Sequence, residues 1–380
     1  MKIAILTQPL HNNYGGLLQA YALQHYLKNQ GHDVFTVDFS KENKPRYFGI
    51  KTIIGNIIRK YVLLRPIKSI FPVTDEQQRV IGQHTNRFTA QHIRTTQKIY
   101  SMAEFSYIKQ YGFDAYVVGS DQVWRPAYSP GMPAFFLSFL NKEDNVKRVA
   151  YAASFGVDNC DEFSANQLTE YATLLQRFDA VGVREDSAVD LCKQHFGTIA
   201  EHVIDPTLLL DKEAYCDLVV KDNIPVSNGN MMVYVLDKAP AKQQIIQQVA
   251  SERRLTPFTV MPEQNGIYPP VTQWLRGFMD AEYVVTDSFH GVAFSIIFNI
   301  PFIAIGNHGR GLARFTSILK MFGLEQRLIF SSTELSSELI NQPIDFATVN
   351  QLKTEKQQIA TAFLKQALCG NSDNKCDTYG

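Results

Sequence analysis

A succession of short apolar runs, each followed by a segment of helical period, limits what this chain can fold into more than any other feature. The runs are Lys2–Thr7, Val34–Asp38, Ala115–Gly119, Arg148–Ala153, Ala180–Arg184, His202–Asp205, Met232–Leu236, Phe258–Val260, Tyr283–Thr286 and Phe302–Ile305. Runs this brief with little polar alternation predict strands covered on both faces, which is the pattern of a parallel sheet with crossover helices. The segment after the first run shows the partner element. Leu17, Ala20, Tyr21, Leu23 and Leu27 make one apolar stripe over Leu17–Asn29, and Gly31 provides a stop.

At 380 residues the chain exceeds one ordinary core, since single cores stop growing at roughly 250 to 300 residues. Two domains are expected, and the turn-forming residues clustered in Lys221–Asn230 place the break there. The expected division is residues 1–222, residues 223–345, and a tail over 346–380 in which Ile344–Leu368 reads as one or two helices. No internal repeat is legible. The expected fold is α/β, with two Rossmann-like domains facing across a cleft.

Composition removes several classes of function. Lys plus Arg equals Asp plus Glu at 37 each, so no global field draws the chain to nucleic acid. The 5 cysteines include no CxxC pair, and His and carboxylates do not cluster at ligand spacing, so neither a disulfide framework nor a metal site is expected. The opening run is too brief for a signal-peptide core, and no apolar run is long enough to span a bilayer, so a cytoplasmic location is expected.

In open parallel sheets ligands bind beyond the carboxyl ends of the strands. Polar clusters stand there repeatedly: Asn13, Tyr14, Gly15 and Gly16 after the first run, Asp121 after the third, Arg184 after the fifth, Ser288 and His290 after the ninth, and Arg310 and Arg314 after the tenth. Each has a plain structural alternative. The two glycines serve a tight turn or close approach by a substrate. Asp121 caps a following helix or faces the cleft. Arg184 forms a surface ion pair with Glu185 and Asp186, or turns its planar fork to a phosphate or carboxylate. His290, in a loop before an apolar helix, reads as an acid or base near neutral pH rather than a core histidine.

These stretches, Asn13–Gln24, Val118–Trp124, Arg184–Ser187, Asp205–Leu209 and Thr286–Gly291, occur in an order that resembles the polysaccharide pyruvyl transferase family. The resemblance covers nearly the whole chain and implies the GT-B arrangement. It also implies transfer of pyruvyl from phosphoenolpyruvate to two hydroxyls of a sugar, giving a cyclic ketal, with no cofactor beyond that donor. The acceptor it implies is a surface polysaccharide or its lipid-linked precursor. In several members an Arg-Leu pair precedes the histidine, where this chain has Ser288-Phe289. The charge on phosphate then falls to Arg310 or Arg314. On this reading His290 and Asp121 are catalytic, while Arg184, Ser288, Arg310, Arg314 and Asn13–Gly16 bind substrate. A GT-B glycosyltransferase using a nucleotide sugar and a non-catalytic binding protein of the same fold are the rival readings.

One segment stands apart from these clusters. Over residues 41–72 the basic residues Lys41, Lys44, Arg46, Lys51, Arg59, Lys60, Arg65 and Lys68 face the single acid Glu42. Ile50, Ile53, Ile54, Ile57, Ile58 and Tyr61 recur there at helical spacing. Such a helix either packs its stripe on the first domain or lies at the surface of an anionic membrane.

Overall fold

The computed structural model describes residues 1–40, 48–58, 60, 74–129, 131–237, 239–263, 265–306 and 311–369. The first sheet contains β1 (Lys2–Leu6), β2 (Asp33–Thr36), β3 (Ala115–Val118), β4 (Lys147–Ala153), β5 (Ala180–Val183) and β6 (Glu201–His202). The second contains β7 (Met231–Tyr234), β8 (Pro257–Phe258), β9 (Tyr283–Thr286), β10 (Phe302–Ile305) and β11 (Leu328–Ile329). Every pairing is parallel. Each apolar run of the sequence falls on one of β1 to β10. The short edge strand β11 has no run of its own.

Both sheets share one winding, although the sequence shows no repeat. The order is β2-β1-β3-β4-β5-β6 in the first and, read from its other edge, β8-β7-β9-β10-β11 in the second. In each, the chain leaves the first strand for an edge and returns to lay the third strand on its other side. The crevice at that reversal, between β1 and β3 and between β7 and β9, is where such sheets receive ligands.

The halves are joined by packing as well as by chain. The loop between the helix Lys212–Lys221 and β7 falls where the turn residues cluster. The last helix, Phe346–Cys369, returns to the first half: Lys353 pairs with Asp211 at 3.2 Å, and the Phe363 ring lies 6.2 Å from that of Tyr151 on β4. It is one helix where one or two were expected. The helix Tyr14–Asn29 lies against the second half, with the Tyr14 ring stacked 5.8 Å from Trp274 and its hydroxyl donating to the Pro269 carbonyl at 3.0 Å. Buried residues of this helix belong to the same apolar core as Trp274 and Phe294, so the halves meet in a continuous apolar contact. The expected cleft is therefore narrowed to a small polar opening.

Candidate active site

The floor of that opening is built by the first half. Asp205 caps the short helical turn Pro206–Leu209; its Oδ1 accepts from the Thr207 N–H at 3.0 Å and the Thr207 hydroxyl at 2.8 Å. Its Oδ2 accepts from Arg184 Nη1 at 2.9 Å and from the Ser120 hydroxyl at 3.2 Å. The other arm of the same guanidinium, Nη2, donates to Asp121 Oδ1 at 3.2 Å. One buried arginine thus fixes two carboxylates from separate strand ends. Beneath it Glu185 Oε1 accepts from the Ser154 hydroxyl and the N–H groups of Phe155 and Gly156, at 3.0, 2.7 and 2.9 Å.

The second half supplies the facing wall. The helix Phe289–Phe298 begins directly after β9, with Ser288 at its cap and His290 in its first turn. His290 Nε2 stands 3.9 Å from Asp205 Oδ2, buried, with no hydrogen-bond partner among the described residues. Its ring lies against Gly15 of the opposite half so closely that a Cβ there would sit 2.0 Å from Nδ1. Only glycine admits the histidine. Arg314, in the first turn of the helix Leu312–Met321, brings Nη1 to 3.8 Å from Asp121. Gly311 makes this approach possible: at φ 83° it lets the chain pass where a Cβ would meet the Gly156 carbonyl at 2.1 Å. The Phe289 ring has the guanidinium carbons of Arg184 and Arg314 at 4.6 and 5.9 Å from its centroid.

Asn13, Asp121, Gln122, Leu236, Asp287, Ser288, Phe289, His290, Arg314 and Phe315 line a chamber of about 120 Å³. Asp287 does not act there as a loose charge. Its carboxylate accepts from the Leu236 and Asp237 N–H groups at 2.7 and 3.2 Å and pairs with Lys242.

Burial and charge set the protonation of this cluster. Burial would raise the Asp121 carboxyl, but Arg184, His290 and Arg314, with the Gln122 N–H, overcome it and hold Asp121 at about 2. Burial lowers His290 below the usual histidine value; Asp205 and Asp121 oppose this, and Arg184 and Arg314 reinforce it. Burial and the neighbouring Arg184 bring Arg314 down to about 10, which leaves it cationic at neutral pH. The resting site accordingly holds an ionised Asp121, a neutral His290 and a cationic Arg314.

Asn13, Asp121, Ser288, His290 and Arg314 therefore meet at one chamber, and other expected site residues serve the scaffold. Tyr14 points into the aromatic contact between the halves. Gly15 receives the His290 ring rather than a substrate, and Gly16 donates its N–H to Asn13 Oδ1 at 3.2 Å inside the first helical turn. Arg184 is not at the surface: its side chain is 1% exposed and both Nη atoms are held by carboxylates. Asp121 caps no helix; it has φ 68° and its own Oδ1 accepts from the Gln122 N–H. Arg310 lies outside the described residues.

Sequence reasoning passed over Asp205 and Glu185 as site residues. Asp205 had a signal in Asp-Pro-Thr, an acceptor placed before a proline-led turn. Glu185 had none, because a carboxylate beside an arginine reads as a surface pair until burial is known. Among the described residues no three His, Cys, Asp or Glu side chains group as metal ligands.

A family model, polysaccharide pyruvyl transferase, matches residues 13–309, a span that includes every residue of the chamber except Arg314 and Phe315. The chain belongs to this family. As a member of the polysaccharide pyruvyl transferases it also shares its fold with solved GT-B proteins. A putative UDP-N-acetylglucosamine 2-epimerase from Listeria monocytogenes aligns at TM-score 0.51 and 10% identity, covering 100% of this chain and 99% of that one. MnaA of S. aureus, solved with UDP, aligns at TM-score 0.49 and 11% identity over 100% of both chains. No curated protein matches the chain. Likeness at this identity establishes the fold for the family member and leaves its chemistry to the site.

Proposed function

We propose that the protein transfers the pyruvyl group of phosphoenolpyruvate to two hydroxyls of one sugar, in a surface polysaccharide or its lipid-linked precursor, forming a cyclic ketal and releasing phosphate. The observation that carries this reading is the chamber itself. It has the room of roughly four waters, small enough for a compact anion, and it sets a cation and a helix N-terminus beside a neutral histidine and an ionised aspartate.

The first sugar oxygen bonds to the central carbon of the enol phosphate while a proton reaches the methylene carbon, which becomes the methyl. The bond from the central carbon to the phosphate oxygen then breaks, and the second hydroxyl attacks the central carbon and gives up its proton. One hydroxyl proton is matched by the methyl and the other by phosphate. His290 is the acid/base of these transfers, because a neutral imidazole at working pH can accept one proton and return it. Asp121 orients the acceptor and stabilises positive charge on the central carbon, since a carboxylate held at about 2 is a weak base. Arg314 and the N–H groups of the helix turn that follows Ser288 hold phosphate and carboxylate. Arg184 acts through Asp121 and Asp205 as a positioning residue.

The deciding experiment supplies phosphoenolpyruvate with a panel of lipid-linked mono- and disaccharides and follows phosphate release with mass analysis of the sugar. Acceptor-dependent phosphate release with gain of the ketal is the expected result. Turnover of a nucleotide sugar instead would assign a glycosyltransferase, and binding without turnover of either donor would assign a non-catalytic protein.

A lipid-linked acceptor places the work at a membrane. The helix Phe48–Ile57 leaves Ile54 and Ile57 53% and 41% exposed, with Ile58 just beyond at 44%, which supports contact with an anionic bilayer over packing on the first domain. Lys41, Lys44, Arg46, Arg59, Arg65 and Lys68 lie outside the described residues. No described helix is long and apolar enough to cross a membrane. Sedimentation with anionic liposomes at low salt and release at high salt are expected; equal sedimentation after Lys51, Arg59 and Lys60 are changed together to Gln would remove this contact.

A further inference from the structure

The chamber is not closed at Asp121. A groove of about 400 Å³ continues outward, sharing Asn13, Asp121, Gln122 and Arg314 with the chamber and adding Gln8, His11 and Tyr128. We infer that this groove is the acceptor subsite, that it takes a neutral pyranose stacked on Tyr128, and that it delivers two of that ring's hydroxyls to Asp121. The inference rests on the transferase reading above and adds to it the residues that choose the sugar.

Volume and wall chemistry agree. The groove falls within the range of about 300 to 1,000 Å³ usual for small-molecule sites, whereas the inner chamber falls below it. A pyranose presents an apolar face of C–H groups and a rim of hydroxyls, each able to donate and accept. Tyr128 offers a matching apolar surface, being 43% exposed, and it is held without a ligand. The guanidinium carbon of Arg125 lies 4.5 Å from its ring centroid, and Arg125 is anchored to Glu162 at 2.9 Å. A ring fixed in advance loses little freedom on binding.

The polar groups complete the match. Gln8 Nε2 donates to the Gln122 carbonyl at 2.7 Å and to the Ser129 hydroxyl at 3.1 Å, so Gln8 Oε1 remains to accept. His11 Nδ1 contacts the Pro9 carbonyl, which can only accept; the proton is therefore on Nδ1 and Nε2 is an acceptor in the neutral ring. Asn13 spends Oδ1 on the Gly16 N–H and leaves Nδ2 as a donor. Outward of Asp121 and Arg314 the groove is lined by Gln8, His11 and Tyr128, side chains that suit a hydroxyl rim.

The test uses the full chain, phosphoenolpyruvate, and short-chain alkyl diphosphate-linked galactose, glucose and N-acetylmannosamine. Where one of these sugars is turned over, Tyr128→Ala is expected to raise its KM by about tenfold while the KM for phosphoenolpyruvate moves less than twofold, and Tyr128→Phe to restore most of the affinity. An unchanged sugar KM in Tyr128→Ala overturns the groove assignment and leaves the transferase reading standing. Where none is turned over but phosphoenolpyruvate binds by calorimetry, saturation-transfer NMR with the same sugars decides. Saturation that reaches the sugar ring protons in the wild type and disappears in Tyr128→Ala supports the groove; no transfer in the wild type overturns it. Failure to bind phosphoenolpyruvate at all would instead sink the transferase reading.

Discussion

The two sheets wind identically, yet the loops that leave their third strands do opposite work. After β9 the helix Phe289–Phe298 starts at once, so its first residues, Phe289 and His290, line the chamber. After β3 no helix starts at once, the next being the short Met132–Phe135; Asp121 takes φ 68° and is locked by Arg184, which also locks Asp205. The second half therefore presents the groups that react or bind, and the first half presents a rigid carboxylate frame for them to meet. Identical topology fixes where a ligand can enter. It leaves the division of labour to side chains.

The contrast is sharpest at His290. His290→Gln is expected to lower turnover by roughly 10²- to 10⁴-fold with phosphoenolpyruvate binding retained, as read from phosphate release beside calorimetry. Turnover within tenfold of wild type would move the acid/base role elsewhere and leave the second half as a binding wall.

For the frame, the large effect should appear in stability. Arg184→Ala strands two buried carboxylates and is expected to cost about 3–5 kcal/mol in denaturant unfolding. Arg314→Ala should cost clearly less and instead raise the KM for phosphoenolpyruvate. If the two variants exchange these signatures, the distinction between frame and binding wall is wrong.

Where the halves touch, Gly15→Ala tests their fit. The added methyl meets the His290 ring, and displacing that ring by about an ångström is expected to cost on the order of 10²-fold in turnover. Normal turnover would show that the histidine works in a more open arrangement of the halves.

The smallest effect is in pH. Because burial lowers His290 in the folded protein, the unfolded chain binds a proton there first as pH falls. Its contribution is a loss of stability that begins below about 6.5 and is complete below the depressed folded value. The catalytic base is lost only at that lower value, so kcat/KM should stay level through pH 6.5 and then fall about tenfold per unit. His290→Gln should remove that acid limb from its residual activity; persistence of the limb would assign it to another group.

Residue order alone was enough to locate β1 to β10 and the polar positions that end β1, β3 and β9, because burial on both faces and the carboxyl-edge rule are written in local patterns. Tyr14, Arg184 and Asp205 show what it left open. All three stand at strand or helix ends where a ligand contact is reasonable, and only the packed structure turns Tyr14 into the contact between halves and Arg184 into a bridge. The shared winding of the two sheets was also invisible, since topology depends on which strand returns beside which and not on residue type. Gly15 is the clearest case: the pattern asks for a small residue, but what fills its space is a histidine 275 positions later in the chain, brought there by tertiary packing alone.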